Sequence, residues 1–235
     1  MTPFLSEFLG TAVIITLGNG VVANVVLHKT KGNNAGLLAI TLGWAMAVFT
    51  GVFISAKNSG AHLNPAVTLA LACAHKFSWN LVPLYMAAQL LGAMAGALLV
   101  WISYKQHFDE TTDADLKLGA FCTAPSIRNA AHNFVSEFIG TFIFILAVLY
   151  IVTPANSLGA LDALPVALVV LSIGLSLGGP TGYAINPARD LSPRIMHALL
   201  PIKGKRNSDW QYSWIPVIAP LAGAVLAAYV WLLLN

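Results

Sequence analysis

At 235 residues the chain is 57% hydrophobic and only 9% charged, against about 25% charged in a soluble domain, which excludes an ordinary water-soluble globule. Its net charge of +3 is dispersed, without the basic cluster that nucleic-acid binding needs. Two cysteines, Cys73 and Cys122, are too few for a disulfide framework and read as free thiols.

Six apolar segments follow in order, at roughly 4–27, 36–56, 81–104, 134–153, 158–178 and 213–234. About 20 helical residues cross the hydrocarbon core of a bilayer, so each segment is a candidate span. The first lacks a basic leader and holds Glu7, unlike a cleaved signal peptide. It opens on Ser6-Glu7-Phe8-Leu9-Gly10-Thr11, and the fourth opens on Ser136-Glu137-Phe138-Ile139-Gly140-Thr141. Between the second and third lies Ser59-Gly60-Ala61-His62, then Asn64-Pro65-Ala66. Between the fifth and sixth lies Gly179-Pro180-Thr181-Gly182, then Asn186-Pro187-Ala188. The chain therefore reads as one membrane domain, 1–235, built from internal repeats at about 6–104 and 136–235. A polar loop, 105–132, joins them; with Asp109, Glu110, Asp113 and Asp115 it reads as solvated and outside the membrane. An odd number of spans per repeat inverts the second against the first, a plan in which broken segments at matching positions mark the binding site. Gly92 and Gly96 have the spacing that brings membrane helices close.

Each Asn-Pro-Ala begins a helix for a physical reason: Asn is a favoured cap and Pro suits the first helical position. The run after each is too short to span. Such a half-helix, starting inside a bilayer, must be buried in protein or line a wet cavity. Two starts from opposite leaflets aim two positive helix ends at one point, which repels cations. The amides of Asn64 and Asn186 donate to a passing oxygen. The loops before them, with Gly60, Ala61, His62, Gly182 and Ala184, offer carbonyls as acceptors. That combination suits small neutral hydroxylated molecules. Glu7 and Glu137, at matching places, read as supports for the loop N–H groups rather than proton carriers. Arg189, next after the second motif, adds a cation barrier, with Asp190 beside it as a further loop support. His62 reads either as a gate or as a satisfied loop histidine. No metal-ligand spacing, cofactor or catalytic pair is read from the chain.

The segments 59–68 (Ser-Gly-Ala-His-Leu-Asn-Pro-Ala-Val-Thr) and 182–190 (Gly-Tyr-Ala-Ile-Asn-Pro-Ala-Arg-Asp) resemble the signature loops of the aquaporin family. The Ser-Glu-Phe-x-Gly-Thr openings fit as well, and the likeness covers nearly the whole chain. Asp190, Pro193-Arg194 and Pro216-Val217 resemble the glycerol-facilitator branch, the aquaglyceroporins. The resemblance implies an all-α integral membrane fold: six transmembrane helices plus two re-entrant half-helices. It implies a selectivity constriction at Trp44, Gly174, Tyr183 and Arg189, Gly174 leaving more room than a bulkier residue and the Tyr183 hydroxyl adding polarity while taking width. It implies a passive channel, not an enzyme, for glycerol and water and also urea, hydrogen peroxide or protonated lactic acid. It further implies a homotetramer in a bacterial plasma membrane, with cytoplasmic termini. The positive-inside rule gives the reverse orientation, since Lys29, Lys31, Lys105, Lys117, Arg128, Lys203, Lys205 and Arg206 face Lys57 and Lys76 across the membrane. The competing function is a coupled secondary transporter of a polyol or hydroxy acid, which needs an ionisable residue in its pathway; only the two Glu are candidates.

Overall fold

A computed structural model of the chain describes residues 1–151 and 155–235. The described residues form α1 (Pro3–Val26), α2 (Gly36–Ser59), α3 (Pro65–Cys73), α4 (Val82–Ser103) and α5 (Lys105–Glu110). They continue through α6 (Ala114–Gly119), α7 (Ala130–Tyr150), α8 (Leu164–Leu177), α9 (Pro187–Leu199) and α10 (Ile215–Leu234), with no strand among them. Six are long and apolar enough to cross a membrane: α1, α2, α4, α7, α8 with the 3-10 turn before it, and α10. The fourth span begins at Ala130 rather than near 134, because the Asn129 side chain accepts from the His132 N–H at 3.1 Å and caps the helix there. Its expected last residues, 152 and 153, lie outside the described residues.

α3 has 9 residues and α9 has 13, about 14 and 20 Å of helix against a core of about 30 Å. Both are half-helices. Each packs against the last long helix of the other repeat, α3 on α10 and α9 on α4. Within the repeats α1 packs on α2 and α4, and α7 on α8 and α10, while α2 meets α8 between them. Matching glycines set matching distances: a Cβ at Gly92 would fall 2.2 Å from the Phe8 carbonyl oxygen, and one at Gly223 would fall 2.5 Å from that of Phe138. Backbones approach this closely only where no side chain intervenes.

The linker departs from the solvated loop expected of it. It folds into α5 and α6, and Phe108, Leu118, Phe121 and Cys122 join the main apolar core. Buried Asn19 of α1 donates to the Phe121 carbonyl at 2.9 Å. Apolar residues in the linker are few, but Phe108 and Leu118 of the two short helices and Ala120, Phe121 and Cys122 after them are buried, so composition understates their burial. The charges lie over this cap in pairs: Lys29–Glu110, Lys105–Asp109, Arg206–Asp115 and Arg128–Asp209. The hydrogen bond from Lys29 holds the Glu110 carboxyl below its ordinary range.

Candidate functional site

The two re-entrant loops meet through their caps. The Asn64 side chain accepts from the Ala66 N–H at 2.8 Å, and its amide donates to the Ile185 carbonyl at 2.9 Å. The Asn186 side chain accepts from Ala188 and Arg189 N–H at 3.0 and 3.3 Å, and donates to the Leu63 carbonyl at 3.0 Å. Each Asn thus caps its own helix and ties to the residue before the other Asn. An amide carries two N–H groups; the tie takes one and leaves the other without a partner among the described residues.

The backbone ahead of each Asn follows one pattern. Gly60, Ala61 and Leu63 have φ of 80°, 52° and 53°; Gly182, Tyr183 and Ile185 have 81°, 39° and 43°. Left-handed residues other than glycine cost about 1–3 kcal/mol each and persist only where neighbours impose them. The two carboxylates do so. Glu7, fully buried, accepts from His62 and Leu63 N–H at 2.9 and 2.7 Å, from Ser59 Oγ at 2.6 Å and from Gln89 Nε2 at 2.8 Å. Glu137 accepts from Ala184 and Ile185 N–H at 3.0 and 3.1 Å. With the loop N–H groups turned to the carboxylates, the carbonyls of Gly60, Ala61, His62 and Ala184 accept no hydrogen bond among the described residues, and all four residues border one cavity.

That cavity, about 290 Å³, is bordered by Gly60, Ala61, His62, Asn64, Ala184 and Asn186 on its polar side. Val48, Val52, Phe144, Val148, Val166 and Val170 form the facing apolar side. Pro65, Ala66, Pro187 and Ala188 are buried behind the caps. Gly182, expected among the lining residues, lies instead against Thr123. His62 borders the cavity with Nδ1 3.2 Å from Thr68 Oγ1 and its ring against Phe77 and Tyr85, at centroid distances of 4.5 and 4.8 Å.

At the linker end the cavity reaches Trp44, Tyr183 and Arg189. The Arg189 guanidinium carbon stands 4.3 Å from the Trp44 ring centroid, a cation–π contact, and its Nη1 has no partner among the described residues. Gly174 departs from its expected role of opening space. It does not border the cavity, because Thr41 and Tyr183 cover it: a Cβ at Gly174 would fall 2.4 Å from Thr41 Cγ2 and 2.9 Å from Tyr183 Cζ, and one at Gly178 would fall 2.6 Å from Tyr183 Cδ1. Gly174 of α8 and Gly178, which caps its C-terminus, make one flat seat for this ring. The Tyr183 hydroxyl is buried against Gly174, 3.1 Å from that Cβ position, so the cavity meets the ring and not the polar atom.

Asp190 also differs from expectation. It does not reach its own re-entrant loop. Its Oδ2 accepts from the Thr123 N–H and Oγ1 at 2.7 and 2.6 Å, and its Oδ1 from Arg194 Nε at 2.9 Å. Arg194, fully buried, donates onward to the Ser208 and Thr123 carbonyls, both at 2.8 Å. The pair fastens α9 to the linker. The spacing of 190 and 194 was a readable signal, since residues four apart share a helix face. Gln89, which joins Glu7 to Thr68, was also missed; a lone polar residue in an apolar span marks it.

Comparison with known proteins gives one consistent result. The family model described as major intrinsic protein matches residues 1–231. The chain is 54% identical over 235 residues to a probable glycerol uptake facilitator protein of Thermotoga maritima, covering 99% of this chain and 100% of that one. It is 41% identical to a D/L-lactic acid transporter of Lactiplantibacillus plantarum, over 96% of this chain and 94% of that one. Among solved structures it matches the aquaglyceroporin from Plasmodium falciparum at 36% identity and a TM-score of 0.86, over 97% of this chain and 93% of that one.

Proposed function

This chain belongs to the major intrinsic protein family, and we propose that it is a passive channel carrying glycerol and other small neutral solutes across a bacterial membrane. One observation carries the reading. The cavity sets free carbonyls and the two Asn amides on one wall and aliphatic side chains on the other. A polyol has the same two sides, a hydroxylated edge and a carbon edge. Each hydroxyl exchanges water for an acceptor or a donor, while the carbon edge slides on valines. Water, urea and hydrogen peroxide satisfy the same wall with less apolar contact.

Ions meet the opposite conditions. The starts of α3 and α9 bring two positive helix ends together at Asn64 and Asn186. Arg189 adds a full charge at the narrow end, where we assign selectivity to Trp44, Tyr183 and Arg189, with Gly174 acting through the ring it seats. Coupling to an ion gradient needs a free titratable group in the path. Glu7 and Glu137 instead hold loop N–H groups and do not border the cavity, while Asp162 and His62, which do, are engaged by Ser157 with Leu158 and by Thr68.

The test is solute entry into proteoliposomes. Glycerol flux should rise in proportion to its gradient and ignore pH and membrane potential; uphill uptake driven by protons or sodium would overturn the channel reading. A second solute, neutral lactic acid, is favoured by the likeness to the lactic acid transporter. Its flux should fall with rising pH as the neutral acid disappears.

We place the termini in the cytoplasm and expect four copies per assembly. Of the eight basic residues on the linker face, all but Lys31 and Lys203 are held by carboxylates or carbonyls, which supports a folded role for them beyond topology. Labelling of the 105–132 segment from outside intact cells should succeed; labelling only after lysis would reverse the orientation.

A further inference from the structure

We infer that Gly18 is a specificity-determining residue of this channel: lacking a side chain, it sets how far back Trp44 sits, and so the width left for a solute. The inference rests on the channel reading above.

Gly18 is buried in α1 and does not border the cavity. Trp44 of α2 does border it. A Cβ at Gly18 would fall 2.2, 2.4 and 2.5 Å from Cζ3, Cε3 and Cη2 of that indole. Ordinary carbon contacts lie at about 3.5–4.0 Å, so one added methyl must drive the ring off α1 by about 1 Å or more. The ring has little freedom to yield elsewhere. It is 4% exposed, and the Arg189 guanidinium already stands 4.3 Å from its centroid. The side of the indole away from α1 is the cavity. Displacement therefore narrows the passage between Trp44, Tyr183 and Arg189.

The other repeat shows what the absence of a side chain is for. Counted from Ser6 and Ser136, the position matching Gly18 is Val148, and Val148 itself borders the cavity. A helix position that elsewhere forms the wall is here emptied so that a larger wall residue, supplied by α2, can stand in front of it.

Replacement by alanine is otherwise benign, since Ala favours helix over Gly. The experiment is a double-mutant cycle in proteoliposomes, reading glycerol and water permeability of the same preparation. Gly18→Ala should lower the glycerol-to-water ratio at least tenfold, with water flux falling less than threefold. In a Trp44→Leu background the same change should leave the ratio within twofold of Trp44→Leu alone, because the clashing ring is gone. Should Gly18→Ala fail to assemble, Trp44→Leu should restore the assembled protein. A proportional loss of both fluxes, an equal drop in both backgrounds, or no rescue of assembly would overturn the inference. Absence of glycerol flux in the unaltered protein would instead count against the channel reading.

Discussion

The segments 59–68 and 181–190 carry the same backbone and different tasks. Counted from Asn64 and Asn186, left-handed residues fall at identical places, a buried glutamate takes the two N–H groups before each Asn, and each Asn caps a half-helix. Side chains then diverge. Tyr183 and Arg189 stand where the first loop has Ala61 and Val67, and Asp190 where it has Thr68. All four of Tyr183, Arg189, Ala61 and Val67 border the cavity. The shared features brace both loops alike; the unshared ones put an aromatic ring and a positive charge at one end of the cavity only. On the proposed assignment of selectivity to Trp44, Tyr183 and Arg189, the matching parts make the passage and the unmatched parts choose what enters it.

The largest effect expected from disturbing this comparison is on the shared support. Glu7→Ala removes the acceptor of four buried donors, and Glu137→Ala removes that of three, two loop N–H groups and the Thr181 hydroxyl. At about 1–3 kcal/mol for each stranded donor, the first should abolish most folded protein and the second should leave a measurable fraction. Equal yields in detergent size-exclusion would mean the two loops are braced alike. Next comes Arg189→Val, which makes the loops alike at this position. Cation or proton leak, read with a pH dye in proteoliposomes, should rise at least tenfold; an unchanged leak would assign ion exclusion to the Asn64–Asn186 region alone.

Smaller effects refine the picture. Asn186 caps two N–H groups and Asn64 caps one. Losing a cap costs about 1 kcal/mol, or about 2–4 °C in a chain of this size. Asn186→Ala should therefore lower the thermal midpoint by more than Asn64→Ala; the reverse order would place the greater stabilisation in the first loop. The smallest change expected is Tyr183→Phe. With its hydroxyl turned into α8, glycerol flux should change less than twofold. A larger change would show that the hydroxyl meets the solute.

Residues whose roles follow from local chemistry were readable from the chain alone. Helix caps, apolar span lengths and a carboxylate with no business in hydrocarbon are properties of short stretches, and Asn64, Asn186, Glu7 and the spans were found that way. Trp44 and Arg189, expected together from family resemblance, do stand in contact. What escaped depends on which helix faces lie opposite one another. Gly174 promised space, but space beside a loop is filled by whatever aromatic the loop brings, here Tyr183. Gly18 carries no local signal, since nothing in α1 announces an indole arriving from α2. Asp190 was assigned to the nearer loop because its partners, Thr123 and Arg194, come from the linker and from a later helical turn. The linker was underestimated because burial there is a matter of a few well-aimed side chains.

The crossed ties between the Asn amides and the Ile185 and Leu63 carbonyls also bear on biogenesis. The partners are 121 and 123 residues apart. At roughly 5–20 residues per second of synthesis, the first loop waits about 6–25 seconds for its acceptor to exist. α3 waits longer, since the helix it lies against, α10, is the last to be made. During that interval three spans sit in the bilayer around a loop whose Glu7 contacts can already form, while its Asn64 amide and Leu63 carbonyl have no final partners. The first repeat alone therefore lacks the acceptor of its Asn64 amide, the donor to its Leu63 carbonyl and the helix that α3 lies against, and all three arrive only with the second.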